Sequence, residues 1–159
     1  MMTGLEPRDF TWVISGRLAV SERIGGYGFQ HRRVRREEEL AWLRHHGFTT
    51  ILSLLDGNQN VAAYEAAGFG VGHVPLDETD SESVTAVFRT LQAVLAPPSA
   101  VVLVHRDIIE DAVAGVLAGY LVYSGRIEDP IVATAIVQEI LKRPLGPVAR
   151  SMIPARAGA

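Results

Sequence analysis

The chain has 159 residues, 48% apolar and 21% charged, enough for one domain that buries roughly two-thirds of the surface exposed when unfolded. A formal charge of −3 provides no global field for nucleic acid or anionic lipid, so neither is an expected partner. There is no cysteine, which excludes disulfides, thiolate metal sites and a cysteine nucleophile.

The longest apolar run, Ala112 to Tyr123, is too short to cross a bilayer and fits a buried helix. The N-terminal MMTGLEPRDF lacks the basic-then-apolar order of an export signal, so the cytoplasm is the expected compartment.

In chain order, β-forming residues at 12–14 and 18–20 flank Ser15-Gly16 and predict a hairpin. The loop Ile24-Gly25-Gly26-Tyr27-Gly28 leads through His31, Arg32, Arg33, Arg35 and Arg36 into a helix over 34–46, with Gly47 as its stop. The acids Glu37, Glu38 and Glu39 near its start suit the helix dipole; the four arginines do not. The run 49–55 reads as a strand buried on both faces, Asn60 as the cap of a short helix ending at Ala67, and 70–74 as a second strand. Apolar residues between Val84 and Leu95 recur at helical spacing. The run 100–104 is a further strand, followed by the apolar helix around 113–123, in which Gly115 and Gly119 suggest close packing. Asp129-Pro130 caps and opens a helix over 131–141, a last short helix follows Pro144, and the tail 155–159 is expected to fray. This alternation predicts an α/β fold with a central, mostly parallel sheet flanked by helices, in a single domain with its core over 10–152. Ligands in such folds gather outside the carboxyl ends of the strands, here after Leu55, Val74 and Val104.

The segment Val101-Val102-Leu103-Val104-His105, its loop and the helix from Val113 to Leu121 resemble the catalytic segment of the dual-specificity branch of protein tyrosine phosphatases. Further pieces follow in that family's order: Ser15 to Ser21, Glu38 to Leu43 leading through Gly47-Phe48 to Ile51-Leu52-Ser53-Leu54, His73-Val74-Pro75-Leu76, Ala135-Ile136 and Arg143-Pro144. The resemblance spans about 10–145 and implies a phosphatase-like fold. The family's chemistry uses a His-Cys pair, an intervening glycine and an arginine: the loop N–H groups and the arginine grip phosphate while the thiolate attacks phosphorus. Aligned on His105, the cysteine place holds Arg106, the glycine place Ile109 and the arginine place Ala112. A guanidinium stays protonated and cannot attack, Ile109 would be strained at positive φ, and alanine provides no bidentate clamp.

Between His105 and Ala112, Arg106 stands against Asp107, Glu110 and Asp111. Inward-pointing carboxylates would repel phosphate, whereas outward-pointing ones would leave a weak anion site on Arg106 and the backbone. The family's general acid lies after the His-x-Pro strand, which places it among Asp77, Glu78 and Asp80, most nearly at Glu78. With no phosphoenzyme to form, that acid has nothing to protonate, and helix capping explains the same residues.

An alternative is a hydrolase of another mechanism using His105 with the acids at 107–111, Asp107, Glu110 and Asp111, metal-assisted where these residues hold a divalent cation, with His73 as a potential neighbour at the adjoining strand end. The spacing matches no metal motif, and no metal or cofactor is expected. The arginines at 32, 33, 35 and 36 are the expected partners of the loop carboxylates if the Gly25 loop folds over the strand ends. Otherwise Arg32, Arg33 and Arg36, with Arg106, form a patch for an acidic or phosphorylated partner, or a solvated face. His45-His46 reads as a solvent-facing pair at a helix end. The leading expectation is a catalytically inactive phosphatase-like protein that binds or regulates a protein partner.

Overall fold

The computed structural model describes residues 4–158, so residues 1–3 of the N-terminal stretch and Ala159 of the tail lie outside the described residues. Two compact units make up the chain: one extends to Pro75 and includes Val94–Ile109, the other comprises Leu76–Ala93 and continues from Glu110.

The first unit holds the sheet. Its strands are β1 (Thr11–Ile14), β2 (Leu18–Ser21), β3 (Thr50–Ser53), β4 (Gly70–His73) and β5 (Val102–His105). They run in the order β1-β2-β5-β3-β4, with β1 antiparallel to β2 and every other pair parallel. This is the predicted α/β class. The predicted hairpin is present, closed where the Arg17 N–H donates to the Ile14 carbonyl at 2.9 Å, with Gly16 at a φ of 74°.

Helices α1 (Arg33–His45) and α2 (Val61–Ala66) belong to the same unit. Leu40 and Leu43 of α1 and Tyr64 of α2 cluster with Ala19, Ile51 and Leu103, which alternate along their strands onto one face of the sheet. Leu18, Val20, Leu52, Val102 and Val104 on the opposite face are wholly buried as well, as continuous apolar runs require. The three arginines in the first turn of α1 oppose its dipole. Carboxylates one turn later offset two of them: Arg33 Nε lies 3.1 Å from Glu37 and Arg35 Nε 2.8 Å from Glu39. Glu39 is buried and also accepts the Gly25 N–H at 2.7 Å. Gly25 has φ 87°, and a Cβ there would stand 2.9 Å from that of Arg36, so only glycine lets the loop close onto α1.

Asn60 corrects the sequence reading. It precedes α2 but caps nothing with its side chain; Oδ1 accepts from Arg36 Nη1 at 3.1 Å and Nδ2 donates to the Ile24 carbonyl at 3.4 Å. A long-range partner outcompeted the local N–H groups.

The second unit is helical: α3 (Ser81–Val94), α4 (Asp111–Tyr123), α5 (Pro130–Leu141) and α6 (Pro147–Ser151). Asp129 caps α5 as predicted, accepting the Ile131 N–H at 2.8 Å. The last helix follows Pro144 as predicted, opening at Pro147 once Lys142, at a left-handed φ of 59°, has ended α5 and residues 143–146 have turned the chain. Residues 112–122 of α4 are all buried. Gly115 and Gly119 mark close approach: an added Cβ would lie 2.7 Å from Ala149 Cα and 2.5 Å from the Phe88 ring, respectively. In the tail, the Gly158 N–H donates to the Tyr123 carbonyl at 3.0 Å. Among the described residues no helix is long and apolar enough to cross a membrane.

Because α6 backbone occupies the space beside Gly115, Gly115→Val is expected to cost about 2–3 kcal/mol through overpacking. A lowered urea midpoint with an unchanged slope is the expected readout.

Candidate functional site

The register of the parallel strands places Ser21, His105, Ser53 and His73 in one row across β2, β5, β3 and β4, at their carboxyl ends. Alternation puts this row on the face that α1 and α2 cover. His105 is fully buried there. Its Nδ1 lies 3.0 Å from the Arg106 carbonyl, which can only accept, so Nδ1 carries the proton. Nε2 then accepts from the Tyr64 hydroxyl at 3.0 Å. Burial, reinforced by the charge of Arg23, pushes the imidazole down to about 4, outweighing the Arg106 carbonyl bond that favours the charged form. Burial likewise pushes the Tyr64 hydroxyl up, keeping it a donor. With both nitrogens committed, His105 can neither ligate a metal nor accept a proton from a ligand without breaking this arrangement.

His73 does not join it. Strand β3 lies between the two histidines, and His73 Nε2 donates to the Leu55 carbonyl at 2.7 Å. Among the described residues no three His, Asp or Glu side chains converge as a metal site would need.

Beyond His105, Asp107 is held by the exit of β2: its carbonyl accepts the Arg23 N–H at 3.1 Å, and its carboxylate lies 3.5 Å from Arg23 Nη1. Ile109 avoids positive φ; outside glycine, only Asp9 and Lys142 adopt it among the described residues.

In the second unit, Glu110 precedes α4 without a side-chain cap, and Ala112 is buried. Asp111 turns to α6, accepting the Gly146 N–H at 2.8 Å and the Ala149 N–H at 2.9 Å, with Arg143 3.8 Å away. Burial raises its pKa, but those two bonds and the charges of Arg143 and Arg150 outweigh it and hold the carboxyl below its usual range. In the acidic loop, Asp77 accepts from the Thr79 N–H and hydroxyl, and Asp80 accepts the Glu82 N–H at 3.0 Å in the first turn of α3. These are capping and turn contacts of the kind that accounts for such a loop without chemistry.

The arginines at 32–36 do not pair with Asp107 or Asp111, which corrects the expected partnership. Arg32 donates to the Phe29 and His31 carbonyls, Arg33 and Arg35 pair along α1, and Arg36 reaches Asn60. The partner of Asp107 is Arg23, which the sequence reading passed over together with Tyr64. The sequence held no signal for the pairing: Arg23 follows β2, and only the strand order sets the end of β2 beside that of β5. His45 and His46 are exposed at the end of α1, His46 stacking on Trp42 with ring centroids 3.8 Å apart.

No family model and no curated protein matches the sequence. Solved structures do match. Kinase associated phosphatase (KAP), crystallised with its catalytic-site cysteine replaced by serine, superposes with a TM-score of 0.67 at 17% identity, covering 91% of each chain. PTP-2 phosphatase of Cydia pomonella gives 0.64 at 17% identity, covering 91% of this chain and 88% of its own. Human DUSP28 gives 0.65 at 16% identity, covering 93% and 92%. The chain therefore has the fold of the protein tyrosine and dual-specificity phosphatases, as the order of its motifs implied.

The buried imidazole sets a pH dependence. The folded state resists charging His105, so below about pH 6.5 the unfolded chain binds that proton first; stability is full above this pH and falls as the pH drops towards 4. The loss is on the order of 3 kcal/mol, from about 1.4 kcal/mol per pKa unit. NMR titration should show the His105 ring neutral and Nδ1-protonated at pH 5, and Tyr64→Phe should lower stability by about 1–2 kcal/mol at pH 7. Independently, Asp111→Ala should cost about 1 kcal/mol at neutral pH by uncapping α6. Because its folded pKa is depressed, that difference should shrink as acid protonates the carboxylate.

Proposed function

We propose that this protein is a catalytically inactive relative of the dual-specificity phosphatases that works as a binding or regulatory module for a protein partner. The observation that carries the reading is the residue after β5. In a fold shared with KAP, whose catalytic site holds a cysteine, this chain follows His105 with Arg106 and has no cysteine anywhere. Three further features support it. Arg106 offers a permanently protonated guanidinium in place of a nucleophile. The His105 imidazole is sealed between Tyr64 and a backbone carbonyl. Ala112, at the place of the phosphate-gripping arginine, is buried and has no donor to offer.

The reading that uses His105 with the acids at 107–111 for metal-assisted hydrolysis gains no support from this geometry, since Asp107 and Asp111 are engaged elsewhere and His105 is enclosed.

p-Nitrophenyl phosphate assays should give the buffer background for the wild-type protein, with and without divalent metal. Arg106→Cys alone should remain inactive, because a thiolate without the arginine clamp has no means of holding the phosphoryl group. Wild-type turnover that disappears on altering residues 105–112 would overturn the proposal.

A further inference from the structure

On the first unit, α1 and α2 bound an open groove of about 380 Å³. Its wall carries Arg33, Arg36 and Arg44, and its floor is made by Leu40, Ala63 and Ala66. Arg33 and Arg44 stand eleven residues apart, almost aligned along α1 at ~100° per residue, so the charges extend over ~16 Å of helix. One carboxylate, Glu37, lines the groove with them and faces Arg33 in an exposed pair that contributes little. The groove is thus a local excess of positive charge on a chain of net charge −3.

Arg36 is partly committed: it donates through Nη1 to Asn60, and its Nε is buried beyond the reach of a docked chain. Arg44 lies over the Phe69 ring, 5.6 Å from its centroid, a contact that orients the guanidinium without using its N–H groups.

We propose that this groove docks an acidic helix of a partner protein, with partner carboxylates on Arg33, Arg36 and Arg44 and partner backbone against the alanine floor. Charge complementarity selects the occupant. A single phosphate meets only one end of a row this long. A nucleic-acid backbone would bring its phosphates onto Glu37 and finds no aromatic ring lining the groove on which a base can stack. Acidic side chains on a helix can straddle Glu37, and the small floor side chains admit a helix backbone closely. The inference rests on the reading of the chain as a binding module and specifies the chemistry of its partner.

The test uses a fluorescein-labelled helical peptide of Glu, Ala and Leu, about twelve residues long so that it spans the row at about 1.5 Å per residue. Controls are the same peptide with Gln for Glu, a phosphoserine peptide without Asp or Glu, and a single-stranded oligonucleotide of equal charge. Fluorescence anisotropy on the full chain should show binding of the Glu peptide alone, weakening as salt rises. Arg33→Glu and Arg44→Glu should each weaken it at least about fivefold. Ala66→Trp, which fills the floor without touching any charge, should weaken it comparably and guards against charge reversal acting through misfolding.

Failure of the Glu peptide to bind, equal or tighter binding of the phosphopeptide or oligonucleotide, or binding indifferent to all three substitutions would each overturn the inference. Phosphatase turnover by the wild-type protein would instead overturn the parent reading, so the two failures are distinguishable.

Discussion

The contact on which the site depends is the hydrogen-bonded enclosure of His105. The imidazole is held between the Tyr64 hydroxyl and the Arg106 carbonyl at the carboxyl end of β5, in a position wholly withdrawn from water. A buried polar ring is tolerated only when its donor and acceptor are both satisfied, and here one comes from α2 and the other from the chain immediately after the strand. The same two bonds that satisfy the buried ring occupy both of its nitrogens.

The charged residues around that strand end follow a related logic. Asp107 is held by Arg23 from the end of β2, and Asp111 by the backbone of α6, so these carboxylates of the segment each have a structural task. The arginines at the start of α1 oppose the helix dipole; Glu37 and Glu39 offset two of them one turn later and Arg36 donates to Asn60, none of them turning to Asp107 or Asp111. Glu39 also ties down the Gly25 turn, so the basic cluster is partly architectural. Part of it stays exposed, Arg33 among it, beside the groove between α1 and α2.

Periodicity made most elements legible. Continuous apolar runs marked β3 and β5, helical spacing marked α3, and Asp129-Pro130 marked the start of α5, because each signal is local and met no competing partner. Asn60 shows the limit. Its type and place suited a cap, yet the Arg36 guanidinium and the Ile24 carbonyl, far away in sequence, claimed its side chain. The pairing of loop acids with arginines failed for the same reason: opposite charges were visible, but the strand order that brings Arg23 beside Asp107 was not.

By itself the amino-acid sequence determined what chemistry is available: no cysteine nucleophile exists in the chain. It also determined the α/β class, because alternating apolar patterns are a property of neighbours along the chain. Only the tertiary structure decided which groups meet. Tyr64 on His105, Arg23 on Asp107 and the arginine row above the alanine floor each join segments whose proximity is set by strand order and helix packing, and spacing along a chain does not encode distances across a sheet.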